Sequence, residues 1–335
     1  DIGSFRIRFE NMSENSGERV LISEIRFCTE KEASELAEPD AYPSDVQDID
    51  GSSLRILQFN VQTESGNMAP FSEKALLFRR LVDETVPDVA GMQEVTPEWR
   101  RWLDDYVFND SYGSVGEPRS DGDEANPVYY RKDRFELVES GTFWLSGTPD
   151  RAGSYTEGAN CPRICTWVLL KDIRNGTEFA YLTTHLDHNG KNDQDTATQI
   201  RRKQIGEIIK FAGRFEGIPV FLSGDLNFRS DSPGGSALYS LLTGKTSFTD
   251  TDGKEYAIEL SDSRISAGIT VDAGHSSTMV GGYGSGQSGG PIDYVFCSPS
   301  VEAVSYETFL ITEKGIWISD HLPVFAVFRF PEQAG

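Results

Sequence analysis

The pattern that decides the fold is clearest at residues 218–227, which read Ile-Pro-Val-Phe-Leu-Ser-Gly-Asp-Leu-Asn. The run 218–223 predicts a short buried β-strand, and the polar residues Asp225 and Asn227 follow directly at its end. The preceding stretch, 193–212, has the apolar spacing of an amphipathic helix and is followed by glycines. A helix that leads into a buried strand with acidic and amide residues at its end indicates a mixed α and β domain.

Similar elements are predicted along most of the chain. The stretches 72–84 and 97–106 have helical apolar spacing. Short apolar strands are predicted at 54–60, 86–94, 128–131, 142–145, 164–170, 179–185, 292–297 and 323–330. Periodicity alone leaves two architectures open, a doubly wound sheet and a sandwich flanked by helices.

Residues 1–53 have a different character. Alternating apolar residues in 1–28 predict two strands around a polar turn, and the acidic, proline-containing stretch 29–53 predicts a linker. We therefore expect an N-terminal strand pair with an acidic linker, followed by one main domain at 54–331. Within that domain, the Gly- and Ser-rich stretch 281–290 predicts a flexible loop.

The charge of the chain limits its partners. The 335 residues carry a net charge of −22, and 38% of them are hydrophobic, which is enough for a sizeable core. No apolar run approaches the roughly 18 residues that span a bilayer. A strongly negative surface repels nucleic acid at long range, which disfavours a tight, processive nucleic-acid binder. It does not exclude an enzyme that binds one phosphate at a time.

Cysteine and asparagine patterns bear on the compartment. An even number of cysteines allows two disulfides by three pairings, and four reduced thiols are the alternative. Three Asn-x-Ser/Thr sequons add to this pattern. Together these features favour a secreted, periplasmic or otherwise extracellular protein. The cysteines are Cys28, Cys161, Cys165 and Cys297, and the sequons begin at Asn11, Asn109 and Asn175.

Several predicted strands end in polar residues that a core would not hold unpaired. Side chains at the rim of a buried sheet converge on one cleft, which is where ligand sites form. Three of the four histidines in the chain belong to this set. Its members are Asn60, Glu94, His185, Asp187, His188, Asp225, Asn227, Asp293, Asp320 and His321.

These residue types suit the hydrolysis of a phosphoester. The reaction needs an in-line nucleophile, relief of the charge that builds on the phosphoryl oxygens, and a leaving group that can depart. Hard carboxylate oxygens such as those of Glu94 and Asp320 suit Mg²⁺ or Mn²⁺. A histidine supported by a carboxylate suits general acid or base catalysis.

The ordered set of strand-end residues resembles the endonuclease/exonuclease/phosphatase superfamily, whose fold is called deoxyribonuclease I-like. The resemblance covers about residues 54–330. The stretches 119–122, 128–131, 140–146 and 184–188 are similar to a branch with many bacterial members. The resemblance implies an α+β fold, a four-layer α/β/β/α sandwich of two mixed β-sheets flanked by helices, with the site at one end.

The resemblance also implies roles for individual residues. Glu94 corresponds to the principal metal ligand, with Asn60 and Asp320 beside the metal, which we expect to be Mg²⁺ or Mn²⁺. His321 corresponds to the catalytic histidine, and Asp293 to the carboxylate that orients it.

The remaining roles concern water and substrate. Asp225 is expected to position or deprotonate the attacking water, and Asn227 and His185 to contact phosphoryl oxygens. Arg119 and Tyr130 are expected to contact the phosphate or the leaving group. Further contacts to the metal or the substrate are assigned to Asp187 and His188, for which a structural role is the alternative.

The sequence thus predicts a monomeric, divalent-metal-dependent phosphoester hydrolase. Its substrate is a small phosphodiester or monoester, a nucleic acid or a lipid head group. One alternative is a non-catalytic binding protein on the same fold. Another is a zinc-dependent hydrolase that uses His185, His188 and a carboxylate, because two histidines three residues apart occur in zinc sites.

Overall fold

The computed structural model describes residues 53–63, 71–272, 277–280, 290–310, 312–313 and 316–331. The predicted N-terminal strand pair and nearly all of its linker lie outside the described residues, as does most of the predicted loop 281–290. All described residues from 54 onward belong to the predicted main domain, and its boundary remains a prediction.

The described residues form seventeen strands, numbered β1–β17 in chain order. Their bounds are Ser53–Asn60, Val89–Gln93, Tyr112–Val115, Val128–Arg131, Phe135–Trp144, Ile164–Asp172, Glu178–His185, Val220–Asp225, Phe248–Thr249, Glu255–Tyr256, Ser261–Asp262, Ile269–Val271, Asp293–Cys297, Glu302–Thr308, Thr312–Glu313, Ile316–Trp317 and Val324–Arg329.

Five α-helices accompany the strands in the described part of the chain. They are α1 Phe71–Thr85, α2 Pro97–Trp102, α3 Gln194–Ala212, α4 Pro233–Leu242 and α5 Ser263–Ser266. Helix α3 begins where the sequence predicts, because Asp193 accepts a hydrogen bond from the Thr196 backbone N–H and so caps the first turn. No described helix is long and apolar enough to cross a membrane.

Two mixed sheets form the body of the domain. The first has seven strands in the order β12-β14-β17-β1-β2-β4-β3, and the second has six in the order β11-β13-β8-β7-β6-β5. Each sheet contains a parallel pair joined by a helix, β1-α1-β2 in the first and β7-α3-β8 in the second. Antiparallel partners flank each pair, β17 beside β1 and β13 beside β8. The α+β prediction is confirmed, and the architecture is the sandwich rather than the doubly wound sheet.

The core consists of an interior layer and two outer layers. Side chains of both sheets meet in one interior cluster, which includes Leu54, Ile56, Val89, Val168, Leu170, Phe179, Phe221 and Val295. Helices α3 and α4 cover the outer face of the second sheet, where Ile205, Ile209 and Leu238 pack on Leu182 and Leu222. On the first sheet, Phe78 of α1 stacks on Phe59 with ring centroids 5.8 Å apart. Burial on both faces explains why the central strands appear as continuous apolar runs.

Three of the predicted disulfide candidates are free thiols. Cys165 and Cys297 are buried and Cys161 is partly buried, and none of the three is bonded to another cysteine. Cys28 lies outside the described residues. Among the described cysteines, the reduced alternative therefore applies.

Replacing Gly91 by alanine should destabilise the packing between the sheets. A Cβ at Gly91 would overlap the Tyr181 hydroxyl and lie 2.7 Å from Thr183 Oγ1 across the interior. We expect the free energy of unfolding to fall by about 1–3 kcal/mol, as overpacked cores do, measured by urea denaturation. Gly147→Ala is the control, because a Cβ there meets nothing within 4 Å. Equal effects of the two substitutions would contradict the close approach of the sheets.

Candidate active site

The candidate site lies where the ends of six strands meet. The parallel pairs β1/β2 and β7/β8 bring their carboxyl ends to one edge of the sandwich, where the antiparallel strands β13 and β17 begin. The register places His185 beside Asp225, and Asp225 beside Asp293. The polar strand ends therefore converge, and seven of the predicted strand-end residues line a cleft of about 410 Å³, namely Glu94, His185, His188, Asp225, Asn227, Asp320 and His321.

A buried histidine, His321, and the buried carboxylate of Asp225 line this cleft, and Asp293 is buried behind them. His321 Nδ1 lies 2.8 Å from Asp293 Oδ2, and its Nε2 lies 3.6 Å from Asp225 Oδ2. The three residues are exposed by 5% or less. Because a buried charge is costly unless it is paired, this arrangement is stable only as a hydrogen-bonded set.

The segment that carries His321 is fixed from two sides. The Ser319 hydroxyl donates to the Asn60 backbone carbonyl at 2.7 Å and accepts from the His321 backbone N–H at 3.1 Å. Met279 pairs with His321 in an isolated β-bridge, and Thr278 Oγ1 accepts the Asp293 backbone N–H at 3.0 Å. The imidazole is thus held by the ends of β1 and β13 before β17 begins.

Asn60 links the two sheets at the cleft. Its Nδ2 donates to Glu94 Oε1 at 3.1 Å and to Asp225 Oδ2 at 3.0 Å, while its Oδ1 accepts the Gln62 backbone N–H at 3.0 Å. The other Glu94 oxygen accepts the Thr63 backbone N–H at 3.0 Å. Asn60 was predicted beside the metal, but the structure turns its amide N–H groups to the carboxylates. Asn60 thus orients Glu94, and its place beside the metal stays a prediction.

Tight turns after β2 and β8 aim the polar side chains. Glu94 has φ 59° and Asn227 has φ 52°, so both adopt the left-handed conformation at a strand end. Gly224 is required just before the second turn, because a Cβ there would overlap the Thr184 carbonyl oxygen. Asn227 donates from its backbone to Asp225 Oδ1 and from Nδ2 to the Leu186 carbonyl oxygen, each at 3.0 Å.

The electrostatics differ between neighbouring groups. Burial alone would lower the pKa of His321, but the carboxylates of Asp293 and Asp225 hold it well above the usual value. Burial raises the pKa of Asp225 to about 7, against the opposing effect of His321. Burial, with the Arg163 cation, lowers the pKa of His185 well below the usual value. A cationic His321 thus faces a carboxyl group that can exchange a proton near neutral pH.

Two arginines and a glutamate form the side wall. Arg119 Nη1 contacts Glu124 Oε1 at 2.5 Å, and Arg163 Nη1 lies 3.7 Å from the same oxygen. Arg163 Nη2 lies 3.2 Å from His188 Nδ1. The sequence predicted Arg119 and His188 here, but it missed Glu124 and Arg163, which follow no strand end. Arg163 directly precedes β6, and that position is the one signal that could have indicated it.

One predicted substrate contact, Tyr130, lies elsewhere, and another, Asp187, is buried behind the cleft wall. Tyr130 pairs with Val89, which begins β2 and lies five residues before Glu94. The Tyr130 ring packs in the interior core. At about 3.3 Å per residue it is roughly 16 Å from that end of the strand, so its prediction as a catalytic residue is corrected. Asp187 is fully buried, and its Oδ2 accepts the Asn160 backbone and side-chain N–H groups at 3.0 Å. This burial favours the structural role that the sequence left as the alternative, and the role of Asp187 stays a prediction.

The donor set fits a hard divalent metal. Glu94 and Asp320 both line the cleft with partly exposed carboxylates, which is the chemistry that Mg²⁺ and Mn²⁺ select. Within the described residues, one group of three candidate ligands has its atoms within 4.8 Å of one another, namely Asp225, Asp293 and His321. The sequence predicts all three as catalytic residues, and that role stays a prediction.

The predicted zinc cluster is not assembled in the described structure. His185 Nε2 faces Asp225 Oδ2 at 3.3 Å, whereas the half-exposed His188 faces Arg163. A larger cleft, of about 620 Å³, lies beside the end of α1, but its charges are paired with each other, as Arg79 is with Asp83. It contains none of the predicted site residues.

Comparisons with known proteins agree with this geometry. A family model described as Endonuclease/Exonuclease/phosphatase family matches residues 57–321. Among curated proteins, none matches the chain.

Solved structures also resemble the chain. An endonuclease/exonuclease/phosphatase from Bacteroides vulgatus has a TM-score of 0.68 and 24% identity, covering 83% of this chain and 99% of its own. The mannosyl-6-phosphatase of Bacteroides thetaiotaomicron has a TM-score of 0.64 and 25% identity over 83% of this chain and 100% of its own. TDP2 of D. rerio, solved with a single-strand DNA product, has a TM-score of 0.61 and 18% identity, covering 83% of this chain and 99% of its own.

Replacing His185 by glutamine should reduce the acid sensitivity of folding. Because the folded state lowers the pKa of His185, the unfolded chain binds its proton first. Stability is therefore complete above pH 6.5 and is lost as the pH falls below it, by up to about 2 kcal/mol at pH 5. Urea denaturation in EDTA at both pH values measures this loss.

The half-exposed His188 provides the matched control. His188→Gln should change the acid dependence less, because solvent screens its charge. An unchanged loss of stability between neutral and acid pH in His185→Gln would contradict the buried, neutral state of this imidazole.

Proposed function

The chain belongs to the endonuclease/exonuclease/phosphatase family, and from that premise we propose that it is a divalent-metal-dependent phosphoester hydrolase. The family acts on phosphoesters. The observation that carries the proposal is the set Asp293–His321–Asp225, which is buried beside Glu94 at one end of the sandwich. A binding protein would not need to bury three ionisable groups beside an open cleft, where they cost stability.

The proposed chemistry begins with a water molecule at Asp225. As the water oxygen attacks phosphorus, Asp225 accepts its proton, for which a pKa of about 7 is well suited. The P–O bond opposite the attacking water breaks in the same step, and the departing oxygen leaves as an alcohol after taking a proton from solvent. The His321 imidazolium, held by Asp293, donates to the phosphoryl group and offsets the charge that develops there. Burial keeps His185 neutral, and its Nε2 lies 3.3 Å from Asp225 Oδ2. His185 therefore helps to orient the Asp225 carboxylate.

Glu94 and Asp320 are the proposed metal ligands. A bound Mg²⁺ or Mn²⁺ would supply further neutralisation of charge on the phosphoryl oxygens. Asn60 and the Thr63 backbone N–H hold the Glu94 carboxylate in one orientation, which leaves each oxygen a free lone pair. This support reduces the entropy that the site would lose on binding a metal.

The substrate is proposed to be small and polar. The chain has a net charge of −22, and the two arginines that line the cleft, Arg119 and Arg163, are both already close to Glu124. Such a wall favours one phosphate with a hydroxyl-bearing leaving group over a polyanion. The 25% identical mannosyl-6-phosphatase supports including sugar phosphates among the candidates.

Two further proposals concern the state of the protein in its source. We propose that it acts outside the cytoplasm, which is supported by exposed sequons at Asn109 and Asn175. We also propose that it is a monomer. Fractionation of source cells and light scattering after gel filtration test these two points. A cytosolic location or a stable dimer would contradict them.

The first test is hydrolysis of five substrates side by side. These are p-nitrophenyl phosphate, bis-(p-nitrophenyl) phosphate, plasmid DNA and sphingomyelin, and mannose 6-phosphate is added as a sugar phosphate. Each is assayed with Mg²⁺, Mn²⁺, Zn²⁺ or EDTA. We expect turnover with Mg²⁺ or Mn²⁺ that EDTA abolishes. A lack of turnover on every substrate with every metal would favour the binding-protein alternative.

Substitutions should localise this activity in the cleft. Glu94→Gln should lower kcat/KM by roughly 100-fold or more, because a catalytic metal contributes several kcal/mol. His321→Ala should lower kcat by about 100- to 10,000-fold. The matched control is Glu98→Gln, which changes an exposed glutamate on α2 and should leave kcat unchanged. Wild-type rates in Glu94→Gln and His321→Ala would refute the assignment.

A further inference from the structure

Two glutamines are fully buried between the sheets next to the candidate site. Gln58 lies on β1 and Gln93 on β2, and both are inaccessible to solvent. A primary amide in an apolar core destabilises the fold unless its two donors and its acceptor are satisfied. The sequence places Gln58 within an apolar run, where a hydrophobic residue would be the simpler choice.

The two amides satisfy each other. Gln58 Nε2 donates to Gln93 Oε1 at 2.6 Å, and Gln93 Nε2 donates to Gln58 Oε1 at 2.9 Å. Each amide then has one N–H left. Gln58 uses it on Asp293 Oδ1 at 3.3 Å, and Gln93 uses it on Thr183 Oγ1 at 3.0 Å. All four N–H donors of the pair are therefore engaged.

The charge of Asp293 sets the direction of this chain of hydrogen bonds. A carboxylate only accepts, so the NH₂ group of Gln58 must face it, and the Gln58 oxygen must then accept from Gln93. Within the part of the chain that the structure describes, Gln58 and His321 are the two side chains that donate to Asp293. Gln58 holds Oδ1 and His321 holds Oδ2, so the carboxylate cannot rotate without breaking a buried hydrogen bond.

The far end of the chain is also packed tightly. Ser223 Oγ lies 2.6 Å from Tyr181 Oη and donates to Thr183 Oγ1 at 3.4 Å. Gly91 leaves room for the Tyr181 hydroxyl, because a Cβ at Gly91 would overlap it. The glutamine pair is thus fixed by both sheets.

We infer that Gln58, held by Gln93, is a positioning residue that fixes the Asp293 carboxylate and through it the orientation of His321. The Gln58 NH₂ group holds Asp293 Oδ1, so that Asp293 Oδ2 faces His321 Nδ1. The other imidazole nitrogen, His321 Nε2, then faces Asp225. This role deepens the proposed function and depends on it for its kinetic consequence.

The test compares Gln58→Met with Tyr181→Phe. Methionine keeps the length of glutamine but removes both donors, and Tyr181→Phe removes a buried hydrogen bond from the other end of the same chain. Thermal unfolding establishes that each variant is folded. We expect kcat to fall by about 10- to 100-fold in Gln58→Met with little change in KM. Tyr181→Phe should retain the wild-type kcat.

A second readout does not require turnover. The proton on His321 Nδ1 is hydrogen-bonded to Asp293 and should give a downfield ¹H resonance. Labelling the four histidines with ¹⁵N shows that the resonance comes from an imidazole, and its loss in His321→Ala assigns it to His321. The resonance should persist in Tyr181→Phe and be lost or shifted in Gln58→Met. If Gln58→Met folds poorly, Gln93→Met should produce the same change, because it leaves Gln58 without its partner.

The outcomes separate the two proposals. A wild-type resonance and kcat in Gln58→Met would overturn the inference, as would an equal loss of kcat in Gln58→Met and Tyr181→Phe. Failure of the wild-type protein to hydrolyse any phosphoester would refute the proposed function. The resonance would still decide whether Gln58 positions His321.

Discussion

The contact between His321 and Asp293, buried at the rim of the sandwich, is the interaction on which the cleft depends. Two opposite charges at 2.8 Å can be buried there because each atom of the pair has a partner on another strand. Asp225 faces the second imidazole nitrogen, and Gln58 faces the second carboxylate oxygen. Loss of Asp293 would leave the buried imidazole without its closest carboxylate, and loss of Gln58 would leave one carboxylate oxygen without its donor.

The fold supplies these partners through two similar β-α-β units. In each unit, parallel strands deliver their carboxyl ends to the same edge, and the two sheets face each other so that both edges meet. Asn60 from the first sheet then reaches Asp225 from the second. The cleft is therefore a product of the packing of the sheets, and Gly91, which lets them approach, contributes to it without touching the site.

Much of the site could be predicted from sequence because an ionisable residue at the end of an apolar run has few structural explanations. That argument located Glu94, Asp225, Asp293 and His321. Tyr130 came from the family resemblance instead, and that carry-over failed because similarity over 128–131 identifies a strand but not which side chain reaches the cleft. The strand-end argument also missed Glu124 and Gln58. The first lies in a loop without a pattern, and the second lies inside a strand whose apolar neighbours conceal it. The sandwich itself could not be derived from periodicity, since the pairing of distant strands leaves no local signal.

Hydrolysis in H₂¹⁸O tests the central claim most directly, namely that water attacks phosphorus and the P–O bond breaks. The substrate would be whichever phosphoester the protein cleaves fastest with Mg²⁺, and both products would be analysed by mass spectrometry after one turnover. The account predicts one ¹⁸O atom in the phosphate-containing product and none in the alcohol. Appearance of the label in the alcohol would show cleavage of the carbon–oxygen bond and would contradict the account.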